Sequence, residues 1–337
     1  MANTREIIER IIADNGSATA VGLADRLGIT RQAVNAHLRL LIGEGKVIKT
    51  GSTRAARYFP ASDAPDAQKI SWRLDLRNID ESVIYDRLSI HLNLSRLSRN
   101  VESIVHYAFT EILNNAIDHS MSEKCRVEAS IDAAKMTFDV RDEGIGAFQS
   151  ITDKLGLHDE HEALVELIKG KTTTMPEAHS GEGIFFVSRA ADRFRLRSHR
   201  QQIEWDRAKD DVFVSSPRFI RGTLAQFQIS IHSRTRLENI FAEFSPEKYD
   251  YQFQKTRVMV KLLQKDYVSR SEAKRLLHNL EKFSEIEVDM RDVQNVGQGF
   301  ADEIFRVFTN AHPGIEIRAI NASGAVEAML RHAGASG

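Results

Sequence analysis

The sequence predicts a multidomain α+β and α/β chain, and three observations lead there. The 337 residues allow two or three domains of ordinary size, with 42% hydrophobic and 28% charged residues. The apolar periodicity changes character twice along the chain. Helical spacing closing on a short hairpin gives way near residue 70 to long helices followed by alternating strands, and beyond residue 254 to strands that alternate singly with helices. These changes set the expected boundaries at 1–60, 71–232 and 255–333.

Charge is distributed as unevenly as pattern. The 46 basic and 47 acidic side chains nearly cancel over the whole chain, yet residues 1–60 hold nine Lys/Arg against five Asp/Glu. The first segment is the electropositive end. Cys125 is the single cysteine, which excludes an intrachain disulfide and an all-cysteine metal site. The sequence contains no apolar run of about 18 residues, and MANTREIIER lacks the apolar core of a secretion signal. A cytoplasmic protein with no membrane contact is expected.

In the first segment, Ile7, Ile8, Ile11 and Ile12 predict a helix that stops at Asn15-Gly16. TAVGLADRLGITRQAVNAHLRLLIGEGKVIKT then reads as helix, tight turn at Gly28, helix capped by Thr30, and a short strand. The second of these helices is expected to bury Val34, Leu38 and Leu41. Arg31, Gln32, Asn35, His37 and Arg39 stay outside, where they can reach base edges and phosphates. Residues 46–59 predict a β-hairpin with Lys49, Arg54 and Arg57 around its tip. The segment resembles the winged helix-turn-helix domain of bacterial transcription regulators, which implies double-stranded DNA as a partner. A solvated face on a helical protein-binding domain is the competing reading. Residues 61–70, ASDAPDAQKI, lack periodicity and are expected to be a linker.

The second segment is organised around HYAFTEILNNAIDHS, residues 106–120. Glu111, Asn115 and Asp118 fall at i, i+4 and i+7 and share one stripe of an otherwise apolar helix. Buried without partners, such groups would cost about 1 to 3 kcal/mol each. Two strands, 126–131 and 135–141, follow, and the second delivers Asp142 into Asp-Glu-Gly-Ile-Gly, where Gly144 and Gly146 permit a tight turn against a ligand. A polar, helical stretch leads through Gly170-Lys171 to HSGEGIFF, in which Gly181 and Gly183 precede an apolar helix. Free backbone N–H groups at that helix start form an anion site. Four strand-like runs end in Arg221-Gly-Thr-Leu-Ala-Gln-Phe-Gln-Ile.

Together, E-x-x-x-N, D-x-G-x-G, G-x-G and G-T in this order resemble the GHKL ATPases: gyrase-type topoisomerases, the heat-shock chaperone, sensor histidine kinases and anti-sigma factor kinases. The resemblance implies an α/β sandwich holding ATP and Mg2+. It implies that Asn115 ligates Mg2+ and that Glu111 activates water or a hydroxyl. Asp142 would accept the adenine amino group with support from Thr223. Gly144, Gly146, Gly181 and Gly183 would frame the lid and phosphates, with Lys171 and Asp118 as further contacts. Glu182, between the phosphate-loop glycines, departs from this pattern, because a carboxylate facing the polyphosphate repels it. Neither His91 nor His106 sits in a helical hairpin before the domain, so the sensor kinase subclass is rejected.

In the last segment, strands near 257–263, 286–290 and 315–320 alternate with helices, one capped by Ser271 and running to Phe283. A polar connector is expected over 233–254. VDMRDVQNVGQGFADEIF resembles the STAS domain of anti-sigma factor antagonists, which implies a protein partner. The serine phosphorylated in those antagonists falls here near Gly297 and Gln298, where the loop has no hydroxyl. Asp302 and Glu303 on the following helix read as an interaction surface or, in preference, as a favourable charge pair at its N-terminus.

The expected function is an ATP-binding, DNA-binding transcriptional regulator, a homodimer with slow Mg-dependent hydrolysis, in which nucleotide gates the winged helix. The alternatives are an anti-sigma-like serine/threonine kinase acting on a partner and a nucleotide-driven dimeric DNA clamp.

Overall fold

The computed structural model describes residues 4–44, 46–50, 56–60, 68–77, 79–170, 182–246, 252–263, 267 and 269–332. The first unit contains α1 (Thr4–Asn15), β1 (Ala18–Thr19), α2 (Ala20–Leu27), α3 (Arg31–Gly43), β2 (Val47–Thr50) and β3 (Arg57–Pro60). Helix α2 starts where Thr19 accepts from the Gly22 N–H, and it stops at Gly28, whose φ of 66° is open to glycine. Thr30 caps α3 by accepting from the Ala33 N–H at 3.2 Å, as its sequence position predicts. The sheet order is β1-β3-β2. Ile8, Ile12, Leu23, Val34, Leu38 and Leu41 form a core of their own beneath it, distinct from the core of the rest of the chain.

The central unit is a seven-stranded, wholly antiparallel sheet built from β4 (Gln68–Asp75), β5 (Lys124–Ile131), β6 (Lys135–Asp142), β7 (Arg193–His199), β8 (Gln201–Asp206), β9 (Asp211–Ser215) and β10 (Ile220–Ser230). Its order is β4-β5-β6-β10-β7-β8-β9. Buried and exposed residues alternate along β5, β6 and β7, so one face is dry and the other wet. The dry face carries α4 (Glu81–Leu92), α5 (Arg99–His119) and α8 (Gly183–Ala190), while α6 (Ala147–Leu155) and α7 (Glu160–Lys169) close one end. Phe109 of α5 meets Phe138 edge-on at 5.4 Å, and Phe138 stacks on Phe227 at 4.8 Å, which fixes α5 over the middle of the sheet.

Two expectations about connections need correction. Gln68, Lys69 and Ile70, read as linker, pair with Ile131, Ser130 and Ala129 in the sheet. The supposed connector contains α9 (Leu237–Phe244), which buries Ile240 and Phe244. Leu237, Ile240, Phe241 and Phe244 have the i, i+3, i+4, i+7 spacing of an amphipathic helix, hidden in a short and otherwise polar stretch.

The C-terminal unit is a three-stranded parallel sheet, β11 (Lys255–Met259), β12 (Glu285–Asp289) and β13 (Glu316–Ile320), in sequence order. Its helices are α10 (Arg270–Leu277), α11 (Gln298–Asp302), which runs on through a π-helical turn into α12 (Thr309–Ala311), and α13 (Gly324–His332). The cap of α10 is Ser269, accepting from the Glu272 N–H, and the helix ends at Leu277, so both the Ser271 cap and the Phe283 end are corrected. Asn279 in the left-handed region turns the chain before it could continue. Asp302 closes α11 and pairs with Arg270 and Arg306, which replaces the expected N-terminal charge pair by a surface ion-pair cluster.

Every residue of β12 is buried. Ile286 and Val288 enter the core, and Glu285 and Glu287 on the opposite face are matched by cations from both neighbouring strands. Glu287 reaches Lys255 at 3.0 Å, Arg257 at 2.9 Å, and Arg318. Burial opposes its ionisation, but these three partners hold it down at about 2.

Central and C-terminal units share one continuous core. Phe185 of α8 packs on Phe244 at 4.9 Å and on Phe253 at 4.6 Å, and Phe253 packs on Phe283 at 5.4 Å. Beside this aromatic chain, Lys169 at the end of α7 is 1% exposed and bonds Glu166 at 2.5 Å and the His278 carbonyl at 2.8 Å. Asn279 donates to the same Glu166 at 3.2 Å, and the Thr256 hydroxyl of β11 donates to the Lys169 carbonyl.

Candidate functional site

A cavity of about 730 Å3 lies between α5, the sheet, α6, α8 and α9. Glu111, Asn115, Asp118, Asp142, Gly183 and Thr223 all line it, so the structure gathers residues spread over more than a hundred positions. The helical spacing in α5 supplies the first three, and the end of β6 supplies Asp142. Asn115 donates its Nδ2 to the Glu111 carbonyl at 2.8 Å, which leaves Oδ1 as the atom available to a ligand.

Asp142 is 4% exposed. Its Oδ1 accepts from the Gly144 N–H at 2.9 Å and the Thr223 N–H at 3.2 Å, and the Thr223 hydroxyl also reaches it. Burial nevertheless pushes this carboxyl above the usual range. Thr223 in turn accepts from the Ala147 N–H at 2.9 Å, tying the end of the sheet to the start of α6. A Cβ at residue 222 would collide with Asp142, and one at residue 144 would enter the Ser120 carbonyl, which accepts from the Ile145 N–H at 2.8 Å. Gly146 adopts φ 87° before α6, with Ser198 and His199 against it.

Gly183 opens α8 directly against the Glu111 carboxylate, where a side chain would fall. Glu182, immediately before it, lines the same cavity instead of turning away. Burial first, then Glu111 and Glu182, push the Tyr107 hydroxyl far above its ordinary value. Two carboxylates and backbone N–H groups therefore meet at one end of the cavity. Its other wall is apolar, from Phe186, Leu196, Ala225 and Phe241. Phe241 belongs to α9, the helix that the polar-connector reading overlooks. Lys171 and Gly181 lie outside the described residues.

A second candidate surface is on the first unit. Arg31, Gln32, Arg39, Lys49 and Arg57 are exposed, whereas Asn35 and His37 are half-buried, so His37 does not stand as clear of the domain as its helix position suggests. Arg54 lies outside the described residues. Arg31, Asn35, Arg39 and Lys49 converge with Tyr58 on a depression of about 260 Å3. Burial pushes the Tyr58 hydroxyl up, and Arg31 and Arg39 pull it back, which places both guanidinium groups near the ring.

Comparison with known families gives three matches along the chain. Residues 81–204 match the histidine kinase-like ATPase domain. The central segment is similar to that domain. Residues 2–48 match a winged helix-turn-helix DNA-binding domain, and residues 272–327 match a STAS-like domain of unknown function. The order is the one expected from sequence. No curated protein matches the chain. With these matches, a DNA-binding regulator carrying an ATPase-like module is supported. Among the described residues, no helix is long and apolar enough to cross a membrane.

Proposed function

We propose that the protein is an ATP-gated transcriptional regulator in which nucleotide occupancy of the central cavity alters DNA binding by the winged helix. The observation that carries this reading is the convergence of Asn115, Asp142 and Gly183 on one cavity in a chain whose separate N-terminal unit presents a basic helix and wing. The cavity's volume of about 730 Å3 leaves room for a nucleotide. The apolar wall suits a base, and Asp142, buried with its ordering partners, suits an exocyclic amino group. The backbone N–H groups at the start of α8, where Gly183 lets the chain pass close to Glu111, suit phosphates.

Among the described residues, no three His, Cys, Asp or Glu side chains are grouped to hold a metal alone. Asn115 with phosphate oxygens and waters is the donor set that Mg2+ accepts. Bound magnesium nucleotide would supply an electrophilic terminal phosphate. Within the chain, Asn115 would hold the cation, Glu111 would orient and deprotonate the attacking water, and Asp142 with Thr223 would position the base. Glu182, on the same side as Glu111, adds negative charge where phosphates would lie, consistent with slow turnover. Asp118 and Lys171 would be further contacts. A homodimer, and a protein partner on the C-terminal unit, belong to the same reading.

Gating requires that ATP and ADP bind the two states unequally. DNA affinity measured with ATP, ADP and no nucleotide should differ between the first and the others; three equal affinities would refute the gating.

A further inference from the structure

A second cavity of about 400 Å3 opens where the end of α8, the β8–β9 turn, α9 and β11 meet, at the junction of the central and C-terminal units. Arg189, Arg207, Arg236 and Arg257 line it. Two of them are already engaged. Arg257 bonds Glu287 at 2.9 Å, and Arg207 donates to the Thr235 hydroxyl and the Arg189 carbonyl.

Among the described residues, the Arg189 side chain has no such partner. Its Nε is buried without a hydrogen bond, and its guanidinium lies over Phe185 at 5.0 Å and Phe244 at 5.5 Å. Burial, and then Arg257 and Arg207, pull its pKa down to about 10, with Glu243 and Asp210 acting the other way. Three of the four carboxylates that line the cavity are drawn to cations other than Arg189. Asp206 is matched by Arg193 at 2.9 Å, Asp210 by Arg291 at 2.9 Å and Asp211 by Lys261 at 2.5 Å. Glu243 is exposed. Placing one cation in the last turn of α8 suits the helix dipole, but gathering several there does not.

We propose that this cavity binds a phosphate-type oxyanion, free or as the monoester of a small molecule, with Arg189 and Arg236 as its ligands. The planar guanidinium fork matches a phosphate face, and aromatic rings behind Arg189 hold that fork in place while leaving its N–H groups free. The volume exceeds what a lone phosphate fills, so an organic remainder has room. Gly183 and Arg189 stand near opposite ends of α8, about 9 Å apart along its axis. The anion would thus load the same helix that borders the nucleotide cavity.

The full chain, first saturated with a non-hydrolysable ATP analogue, is titrated calorimetrically with inorganic phosphate and, separately, with ribose 5-phosphate. One site is expected, weakened about tenfold or more by Arg236→Ala and abolished by Arg189→Met. Tighter binding of the sugar phosphate identifies an esterified ligand, and equal binding a free anion; both support the site. No binding of either probe up to about 10 mM, or equal affinity in the wild type and both arginine variants, overturns it. Should Arg189→Met fail to fold, Arg236→Ala decides the matter, because Arg236 is exposed.

Discussion

The two ends of this chain are attached to its centre in opposite ways. The winged helix has its own core, and its charged face looks outward. The C-terminal sheet has no core separate from the central one; aromatic rings and a buried Lys169–Glu166 pair run straight through the junction. The difference teaches where a nucleotide signal can go. A change at α7 or α8 is felt at once by the C-terminal unit, as strain within one packed body. The winged helix shares no core with that body, so under the proposed gating it would respond as a separate unit.

The strongest way to break that comparison is to take the cation out of the buried junction. Lys169→Met leaves Glu166, 3% exposed, charged beside the Asn279 amide and the His278 ring but without the ammonium it contacts most closely. A cost of about 3 to 5 kcal/mol is expected. In calorimetry, the transition of the joined central and C-terminal body should fall by roughly 10 °C, and the winged-helix transition should stay where it was. If the wild-type C-terminal sheet already melts apart from the ATPase-like domain, the two units are not one body.

The next test works on the other side of the comparison. Arg31→Ala with Arg39→Ala removes two exposed cations from α3 and leaves its buried residues Val34, Leu38 and Leu41 in place. DNA affinity should drop by about 10- to 100-fold near 0.1 M salt, and the salt slope should fall by about 2. Nucleotide affinity should not change. An unaltered salt slope would place the DNA contact elsewhere.

Gly144 and Gly183 sharpen the picture within the joined body. A Cβ at 144 meets backbone, the Ser120 carbonyl, which cannot yield without shifting the end of α5. A Cβ at 183 meets the end of a flexible glutamate, which can swing aside. Gly144→Ala should therefore lower both stability, by about 1 to 3 kcal/mol, and nucleotide affinity. Gly183→Ala should keep the fold and slow hydrolysis by displacing Glu111. Equal melting temperatures for the two variants would contradict the difference in what they strike.

Sequence periodicity made α3, α5 and the β5–β6 hairpin legible, because each is long enough to show a repeat of buried positions. The cluster of Glu111, Asn115 and Asp142 was legible for a different reason: polar groups on an apolar stripe cost stability unless something satisfies them, and glycines beside an acid let a ligand come close. What escaped depends on more than one neighbour. Helix α9 is only eight residues long, and its apolar side matters because the cavity and the C-terminal sheet both press on it. On β12, no local pattern shows that Lys255, Arg257 and Arg318 arrive from two strands to cover Glu285 and Glu287. Nor does any local signal mark Lys169, a buried lysine that reaches carbonyls more than a hundred residues away.

The smallest expected effect concerns Asp142, where function and stability should part. Its carboxyl is raised by burial, despite the N–H groups of Gly144 and Thr223 that favour the charged form. For an acid with a raised value in the fold, the protonated form is favoured there. The stability penalty is absent below the ordinary carboxylate range, grows as pH rises from that range through the raised value, and is constant above it. Asparagine keeps an oxygen for the Gly144 and Thr223 N–H groups and carries no charge. Asp142→Asn should thus leave the melting temperature unchanged near pH 3 and raise it slightly at pH 7 in nucleotide-free protein. The same variant should lose nucleotide binding, since an amide nitrogen can turn a donor toward the amino group the carboxylate would accept. A variant destabilised at pH 7 would mean that the charge is compensated, and that Asp142 is held for the fold rather than for a ligand.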